Sequence, residues 1–288
     1  MALSSHASPV RPVEGGWLQV QQVSISEDSD GLVGNAAWVM DGTALSLGVD
    51  GYWRNNLIVG AGIGTMQADI GFDNRAASGD VDALFAGVYG RWDLDAMHVK
   101  AALSSSVADV DMERSTPLAA TSASSTFSVA STVLSSEIGY SLHSSSYGVR
   151  PFVRFNALSL SRDAFEEDGI GGAELQVSRV DQRGGEFGVG VEVSRPWLMS
   201  GNRWAQLQAS LTLLDQYGDV AVSQQSQLSG TAPLFEVRSA TEKGWVTEYG
   251  LGGEFYIASN SALWLGLQGR QTDNGSEAHG LVGFSLRW

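Results

Sequence analysis

The feature that most constrains this chain is a two-residue alternation of apolar and polar residues, renewed in one stretch after another. In LSLGVDGYW (45–53), Leu45, Leu47, Val49, Gly51 and Trp53 share one face, and Ser46, Gly48, Asp50 and Tyr52 share the other. A period of two is the signature of extended strand with one apolar side. After the turn residues Arg54, Asn55 and Asn56, LIVGAGIGTM (57–66) sets Leu57, Val59, Ala61 and Ile63 against Gly60, Gly62 and Gly64. ALFAGVYGRW (83–92) and MHVKAALSS (97–105) repeat the scheme, with Arg91, His98 and Lys100 on the polar side.

The alternation continues to the other end. STVLSSEIGYSL (131–142) carries Glu137 on its polar face, PFVRFNALSL (151–160) carries Arg154 and Asn156, and EFGVGVEVSRPW (186–197) carries Glu192. WAQLQASLTLLD (204–215) opposes leucines to Gln206, Gln208, Ser210 and Thr212. WVTEYGLGGEFYI (245–257) bears Glu248 and Glu254 on its polar face, and LWLGLQGRQ (263–271) bears Trp264, Gln268 and Arg270. GLVGFSLRW (280–288) places Val282, Phe284 and Leu286 on one side, Ser285 and Arg287 on the other, and ends on Trp288. With WLQVQQVSIS (17–26), about twelve strands are expected, an even number suited to an up-and-down barrel.

Composition supports an all-β chain. There are 35 glycines but 6 prolines, and charged residues make up only 17% of the chain against 43% hydrophobic ones. Cysteine is absent, which excludes disulfides and thiolate metal sites. The net charge of −15 argues against nucleic acid as a partner, because phosphate binding needs clustered Lys and Arg. No apolar run approaches the ~20 residues of a spanning helix, and MALSSHASPVRPVEGG contains no apolar core of a secretory signal. Neither point bears on a membrane barrel, whose half-apolar strands leave no hydropathy peak.

The alternation could place its apolar side inward or outward. A barrel of about twelve strands is too wide to fill with apolar side chains, and no chain is left over to cover an apolar exterior in water. The other face carries Asp50, Arg91, Lys100, Glu137, Arg154, Glu192, Glu248, Glu254, Arg270 and Arg287, a mixture of signs suited to pairing in a hydrated lumen. The expectation is therefore a transmembrane antiparallel up-and-down β-barrel with a polar lumen and lipid against its outer face, in which closure removes exposed sheet edges.

Two patterns orient it. Connections near Arg54, Asp95, Ser144, Met199 and Ser259 are tight; those near Asp30, Asn74, Thr121, Asp168, Ser226 and Asn274 are mostly longer and polar. Outer-membrane barrels have short periplasmic turns and longer outer loops. Trp17, Trp53, Trp92, Trp197, Trp204, Trp264 and Trp288 all lie beside a short turn or a chain end, which predicts an aromatic girdle at one membrane interface. Residues 1–15, with Pro9, Pro12 and Gly15, read as a linker, and 16–288 as one barrel domain.

In order and spacing, LSLGVDGYW with IVGAGIG, then FAGVYGRW, SSEIGYSL, GVRPFVRFNALSLSRDAFEEDG and the terminal FSLRW resemble the autotransporter translocator barrel, the C-terminal domain of type V secretion proteins. The resemblance covers roughly residues 17–288. It implies insertion in the Gram-negative outer membrane as a monomer and translocation of an N-terminal passenger to the cell surface. It also implies that Phe284, Leu286 and Trp288 form the signal by which the barrel-assembly machinery recruits the last strand. Family members usually begin with a helix through the lumen. Residues 1–15 are too short and too rich in Pro and Gly for one, so the chain is expected to start after that helix, with the passenger outside it.

Other chemistry is weakly encoded. Some autotransporters cleave their own passenger with lumenal acids against an Asn bond. Here Asn55-Asn56 falls in a predicted periplasmic turn, while Asp50 and Glu137 suit a lumenal ion-pair network, and no self-cleavage is expected. A surface hydrolase would need a Ser–His–acid set. His143 beside Ser144, Ser145 and Ser146, and the separate His98 and His279, come with no G-x-S-x-G or H-E-x-x-H motif. Asp163, Glu166, Glu167 and Asp168 could be considered for Ca²⁺ but lack EF-hand order and read as a solvated loop. No enzyme, cofactor or metal is expected. A passive porin-like channel, its selectivity set by lumenal charge, is the alternative.

Overall fold

The computed structural model describes residues 15–29, 36–54, 56–73, 76–115, 122–143, 147–169, 174–199, 203–218, 223–228, 235–238 and 244–287. Trp288, Asn55 and Ser144, Ser145 and Ser146 lie outside the described residues, as do the connection positions Asp30, Asn74 and Thr121.

The elements are β1 (Gly15–Glu27), β2 (Trp38–Arg54), β3 (Leu57–Phe72), β4 (Ala77–Leu94), β5 (Met97–Ser115), β6 (Ser122–Tyr140), β7 (Leu142–His143), β8 (Gly148–Arg162), β9 (Phe165–Glu166), β10 (Leu175–Val177), β11 (Val180–Met199), β12 (Arg203–Gly218), β13 (Ser223–Leu228), β14 (Phe235–Arg238), β15 (Trp245–Ala258), β16 (Ser261–Gln271) and β17 (Gly275–Arg287). Among the described residues no helix is long and apolar enough to cross a membrane. Strands do the crossing.

Twelve strands, β1–β6, β8, β11, β12 and β15–β17, form one closed antiparallel ring. Closure comes from β1 pairing with β17, from Gly15 opposite Arg287 to Glu27 opposite Gly275. At one rim lie the Gly15–Arg287 end of this closing pair and the tight turns Arg54–Leu57, Leu94–Met97 and Ala258–Ser261. Asp95 takes a left-handed φ of 51° in the second of these, a conformation Asp tolerates. The longer connections sit at the opposite rim.

The outer face is apolar where lipid would meet it. Leu47, Ile63, Leu84, Val88, Val107, Val189, Leu251 and Leu267 are exposed there, and their direct neighbours in the chain turn inward. Large side chains on the inner face lie on glycines of nearby strands. Trp17 covers Gly48 and Gly62, Phe85 covers Gly64, Tyr89 covers Gly60 and Trp264 covers Gly283. A Cβ at Gly62 would stand 2.8 Å from Cζ2 of Trp17, so the ring can lie against the wall only because that side chain is missing.

The wall is uneven in height. Strands β2–β6 contain 16 to 19 residues, whereas β16 contains 11. About ten tilted residues cross the hydrocarbon layer, so β2–β6 project beyond it at the long-loop rim. There the two faces exchange character. Outward positions become Asp41, Asp69, Asp80, Asp82, Asp109 and Asp111, all exposed, while Ala44, Met66, Ala68, Val81 and Val110 form a buried cluster on the inner side. The apolar outer face expected along every strand therefore stops partway up β2–β6. Outside the membrane water wets the exterior, and the apolar side must turn away from it.

At the same rim, β14, β13, β10 and β9 form a second small sheet. It is tied to the tall wall from one side. Phe165 stacks on Phe127 of β6 at 4.6 Å, and the Arg162 guanidinium lies over both rings. Arg114 of β5 grips Glu167 through two hydrogen bonds of 3.0 and 2.5 Å.

Candidate functional site: the lumen

Every strand presents alternate residues to the lumen, so cross-strand register decides which charges meet. Lys100 is directly opposite Glu137, and Glu137 is opposite Arg154. Arg150 is opposite Glu192. On the other side Glu248 is opposite Arg270, and Arg270 is opposite Glu277. These neighbours close into ion pairs: Lys100–Glu137 at 3.2 Å, Arg154–Glu137 at 3.0 Å, Arg150–Glu192 at 2.6 Å and Arg270–Glu248 at 3.0 Å. Arg150 also approaches Glu137 at 3.5 Å, and Arg270 approaches Glu277 at 3.6 Å.

Two contacts are not between neighbouring strands. Arg154 of β8 donates through Nη1 to Glu248 of β15 at 2.9 Å, reaching past β11 and β12. Arg270 of β16 pairs with Glu186 of β11. The result is one chain of charges from Lys100 to Glu277, in which Glu137, Arg150, Arg154, Glu192 and Glu248 are buried within the barrel. Buried charges persist only when paired and hydrogen-bonded. Each of these has at least one partner of opposite sign.

Further polar groups lie outside this chain. Trp17 donates its indole N–H to Tyr89 at 2.8 Å, and Tyr89 donates to Asp50 at 2.7 Å. Arg91 donates to Asp93 at 2.8 Å. Glu254 accepts from Tyr256 at 3.1 Å, and Arg287 lies over the Tyr256 ring. Of the residues read as lumen-facing, Asp50, Arg91, Lys100, Glu137, Arg154 and Glu192 border the lumenal cavity, Glu248 and Arg270 pair with one another, and Glu254 and Arg287 lie about Tyr256. Arg150, Glu186 and Glu277 join them and were not among the expected set. Between the walls lies a cavity of about 280 Å³ bounded by Trp17, Asp50, Tyr89, Glu137 and Arg154 among others.

The tryptophans divide between the faces. Trp53, Trp92 and Trp197 are exposed at outward positions of the short-turn rim, Trp53 to 72%, while Trp204 has the inward parity of β12 and is exposed at the rim itself. Trp264 is only 3% exposed and lies inside against Gly283, and Trp17 lies inside against Gly48 and Gly62. These two therefore leave the expected girdle. Their large surfaces fill the space above glycines in the lumen, which an inward position in the alternation already requires. Phe284 and Leu286 face outward on β17.

The residues weighed for other chemistry are dispersed. His98 is buried beside Glu137 at 3.9 Å, and His279 lies between Gln21 and Glu277. The backbone of His143 is in β7, and Asn56 accepts from the Asp93 amide at the short-turn rim. Of the loop acids, Glu167 pairs with Arg114, Glu166 accepts from Gln176, and Asp163 approaches Arg179 at 3.5 Å. Among the described residues no group of acids or histidines converges as a metal site.

Twelve strands, a lipid-compatible exterior and a charged, partly filled lumen define a membrane β-barrel. The family profile described as Autotransporter beta-domain matches residues 16–268. The chain belongs to that family, and it is a protein of the bacterial outer membrane. Among solved structures it is similar to the translocator domain of autotransporter NalP from Neisseria meningitidis, with a TM-score of 0.76 at 16% identity over 99% of this chain and 90% of that one. It is also similar to the β domain of the Bordetella autotransporter BrkA, with a TM-score of 0.71 at 14% identity over 96% and 100% of the two chains. The transport unit of AIDA-I from Escherichia coli gives 0.68 at 14% identity over 100% and 93%. No curated protein sequence matches the chain.

Proposed function

We propose that this barrel anchors an N-terminal passenger polypeptide in the outer membrane and carries it to the cell surface, without enzymatic activity of its own. The observation that carries this reading is the family match over residues 16–268, nearly the whole of the barrel. A geometric point supports it. β1 begins at Gly15 on the short-turn rim, which faces the periplasm in such barrels. A polypeptide joined ahead of β1 starts on that side and must cross the barrel to be displayed.

In the same reading the barrel works as a monomer, surrounded by outer-membrane lipid, and residues 1–15 link passenger to barrel domain 16–288. The barrel-assembly machinery recruits the last strand through Phe284, Leu286 and Trp288. The test is surface display. A signal peptide and a tagged passenger on a helical linker are placed ahead of residue 1 in a Gram-negative host, and protease is added to intact cells. Cleavage of the tag from outside is expected. Insertion of the barrel with a protected tag would contradict translocation.

A second reading, a porin-like channel, has weaker support. An outer membrane channel from Pseudomonas putida F1 has a similar fold, with a TM-score of 0.54 at 11% identity. The charge chain that fills part of the lumen favours a pathway that is narrow at rest over a constantly open pore.

A further inference from the structure

We infer that the end of the β11–β12 hairpin is a receiving arm at the periplasmic mouth, where Leu198 and Trp204 hold apolar side chains of the extended polypeptide about to enter the lumen. The inference rests on the translocation reading and names the barrel's first contact with the passenger.

The pairing pattern makes the arm. β8 stays beside β11 only as far as Gly148 opposite Ser194, and β15 stays beside β12 only as far as Ala205 opposite Phe255. β11 and β12 continue with each other to Met199 opposite Arg203. Residues 195–199 and 203–204 therefore form a two-stranded arm that runs past its neighbours at the short-turn rim. Among the described residues the β11 side of this arm has no partner strand and is a free edge.

The two faces of the arm differ. Arg195, Trp197, Met199 and Arg203 have the outward parity of their strands, and no acid occurs from 195 to 204. Tryptophan and arginine together suit the headgroup level of a membrane. The inward parity carries Pro196, Leu198 and Trp204. Leu198 is directly opposite Trp204, and each is 52% exposed. Lipid does not reach the inner side of the ring, so this pair needs another occupant. Further along the same two strands the inner face turns polar, with Gln206, then Ser194 opposite Gln208, then Glu192 opposite Ser210. The apolar pair is thus confined to the entrance.

The position of β1 says what passes there. β1 begins at Gly15 on this rim, opposite Arg287, so the polypeptide ahead of it starts at the same mouth. A chain not yet folded exposes apolar side chains to water, and setting them on Leu198 and Trp204 removes apolar area from water on both partners. The free β11 edge offers main-chain hydrogen bonds to an extended segment, as in strand addition. Pro196 has no backbone N–H to contribute, and one apolar pair is a small area. The hold is therefore brief, and the segment moves on into the lumen.

The full chain is used in the display assay, read as a time course of protease-accessible passenger and divided by the amount of heat-modifiable barrel. Leu198→Ser with Trp204→Ser is expected to slow display per assembled barrel roughly three-fold or more, and Leu198→Met with Trp204→Phe to restore it. Trp197→Ser with Met199→Ser, on the outward face, is expected to leave display per assembled barrel unaltered. An unaltered rate in the inward polar variant, no recovery in the conservative pair, or an equal loss from the outward pair would each overturn the docking site. Absence of display by the unaltered barrel, once assembled, would instead contradict translocation itself.

A second measurement does not depend on the polar variant folding. A photoreactive phenylalanine analogue is placed at position 204 or at position 197 while a folded block arrests the passenger. A passenger adduct is expected from position 204 and none from position 197. No passenger adduct from position 204, whether the crosslink goes to a second copy of the barrel, another cell protein, lipid or nothing, would overturn the assignment.

Discussion

Asp69 of β3 stands directly opposite Asp80 of β4 on the outer face, and Asp41 and Asp111 extend the row across four strands. Like charges directly opposite one another destabilise a sheet, and they are incompatible with lipid. The row therefore marks where the wall has left the membrane. Asp80→Asn is expected to stabilise the folded barrel slightly, read as a higher midpoint of denaturant unfolding in detergent. A clear loss of stability would mean that the row is held by something other than solvation.

The same boundary predicts opposite responses along one strand. Val88 lies on the outer face of β4, four pairs of residues below Asp80, and is exposed to lipid. Val88→Arg is expected to cost about 2–4 kcal/mol near the midplane, measured by refolding into phospholipid vesicles. Asp80→Arg should be close to neutral or stabilising in the same assay. Similar costs at both sites would displace the membrane boundary from where the acids put it.

Much of this was readable in the sequence, and the errors have identifiable causes. The alternation of Leu45 to Trp53 specifies both faces of β2 in its membrane part. It also places Trp17 beside outward Leu18, and Trp264 between Leu263 and Leu265, so both belong inside. Position beside a short turn was a weaker signal than strand parity. Arg150 escaped notice because Pro151 looked like the start of its strand, although β8 begins at Gly148. Glu277 fell before the residues read as the last strand, which begins at Gly275. The exchange of faces above the membrane was hidden because parity is unbroken there. The same parity passes from apolar to acidic on the outside without interrupting the two-residue period. The Arg154–Glu248 contact depends on barrel curvature, and no local pattern records it.

Close approach at glycine should be sensitive to a single methyl group. Trp264 lies over Gly283, and an added Cβ would occupy the space of its ring. Gly283→Ala is expected to cost about 1–3 kcal/mol by overpacking and to slow folding. Trp264→Leu combined with Gly283→Ala should recover part of the loss. No recovery would indicate that the alanine acts on the strand itself.

The grip of Arg114 on Glu167 ties the small sheet to the tall wall. Glu167→Ala should leave the barrel heat-modifiable while making residues 163–180 more accessible to protease on intact cells. Unaltered cleavage would mean that the Phe127–Phe165 stack and the Ser124–Asp168 backbone bridge suffice to hold this segment.

The terminal residue separates targeting from fold energy. Trp288→Ala is expected to reduce outer-membrane assembly in cells sharply while leaving refolding in detergent largely intact. Equal loss in both would assign Trp288 to stability alone.

The central claim, that a passenger crosses through this barrel, is tested most directly by crosslinking a stalled passenger in transit. Leu103 and Ser104 are adjacent on β5, with Leu103 exposed on the outer face and Ser104 on the inward parity of the strand. A photoreactive residue is placed at each in turn while a folded block arrests the passenger partway. The account predicts a passenger adduct from position 104 and none from position 103. Adducts from neither position, with the barrel assembled and the passenger exported, would contradict passage through the lumen.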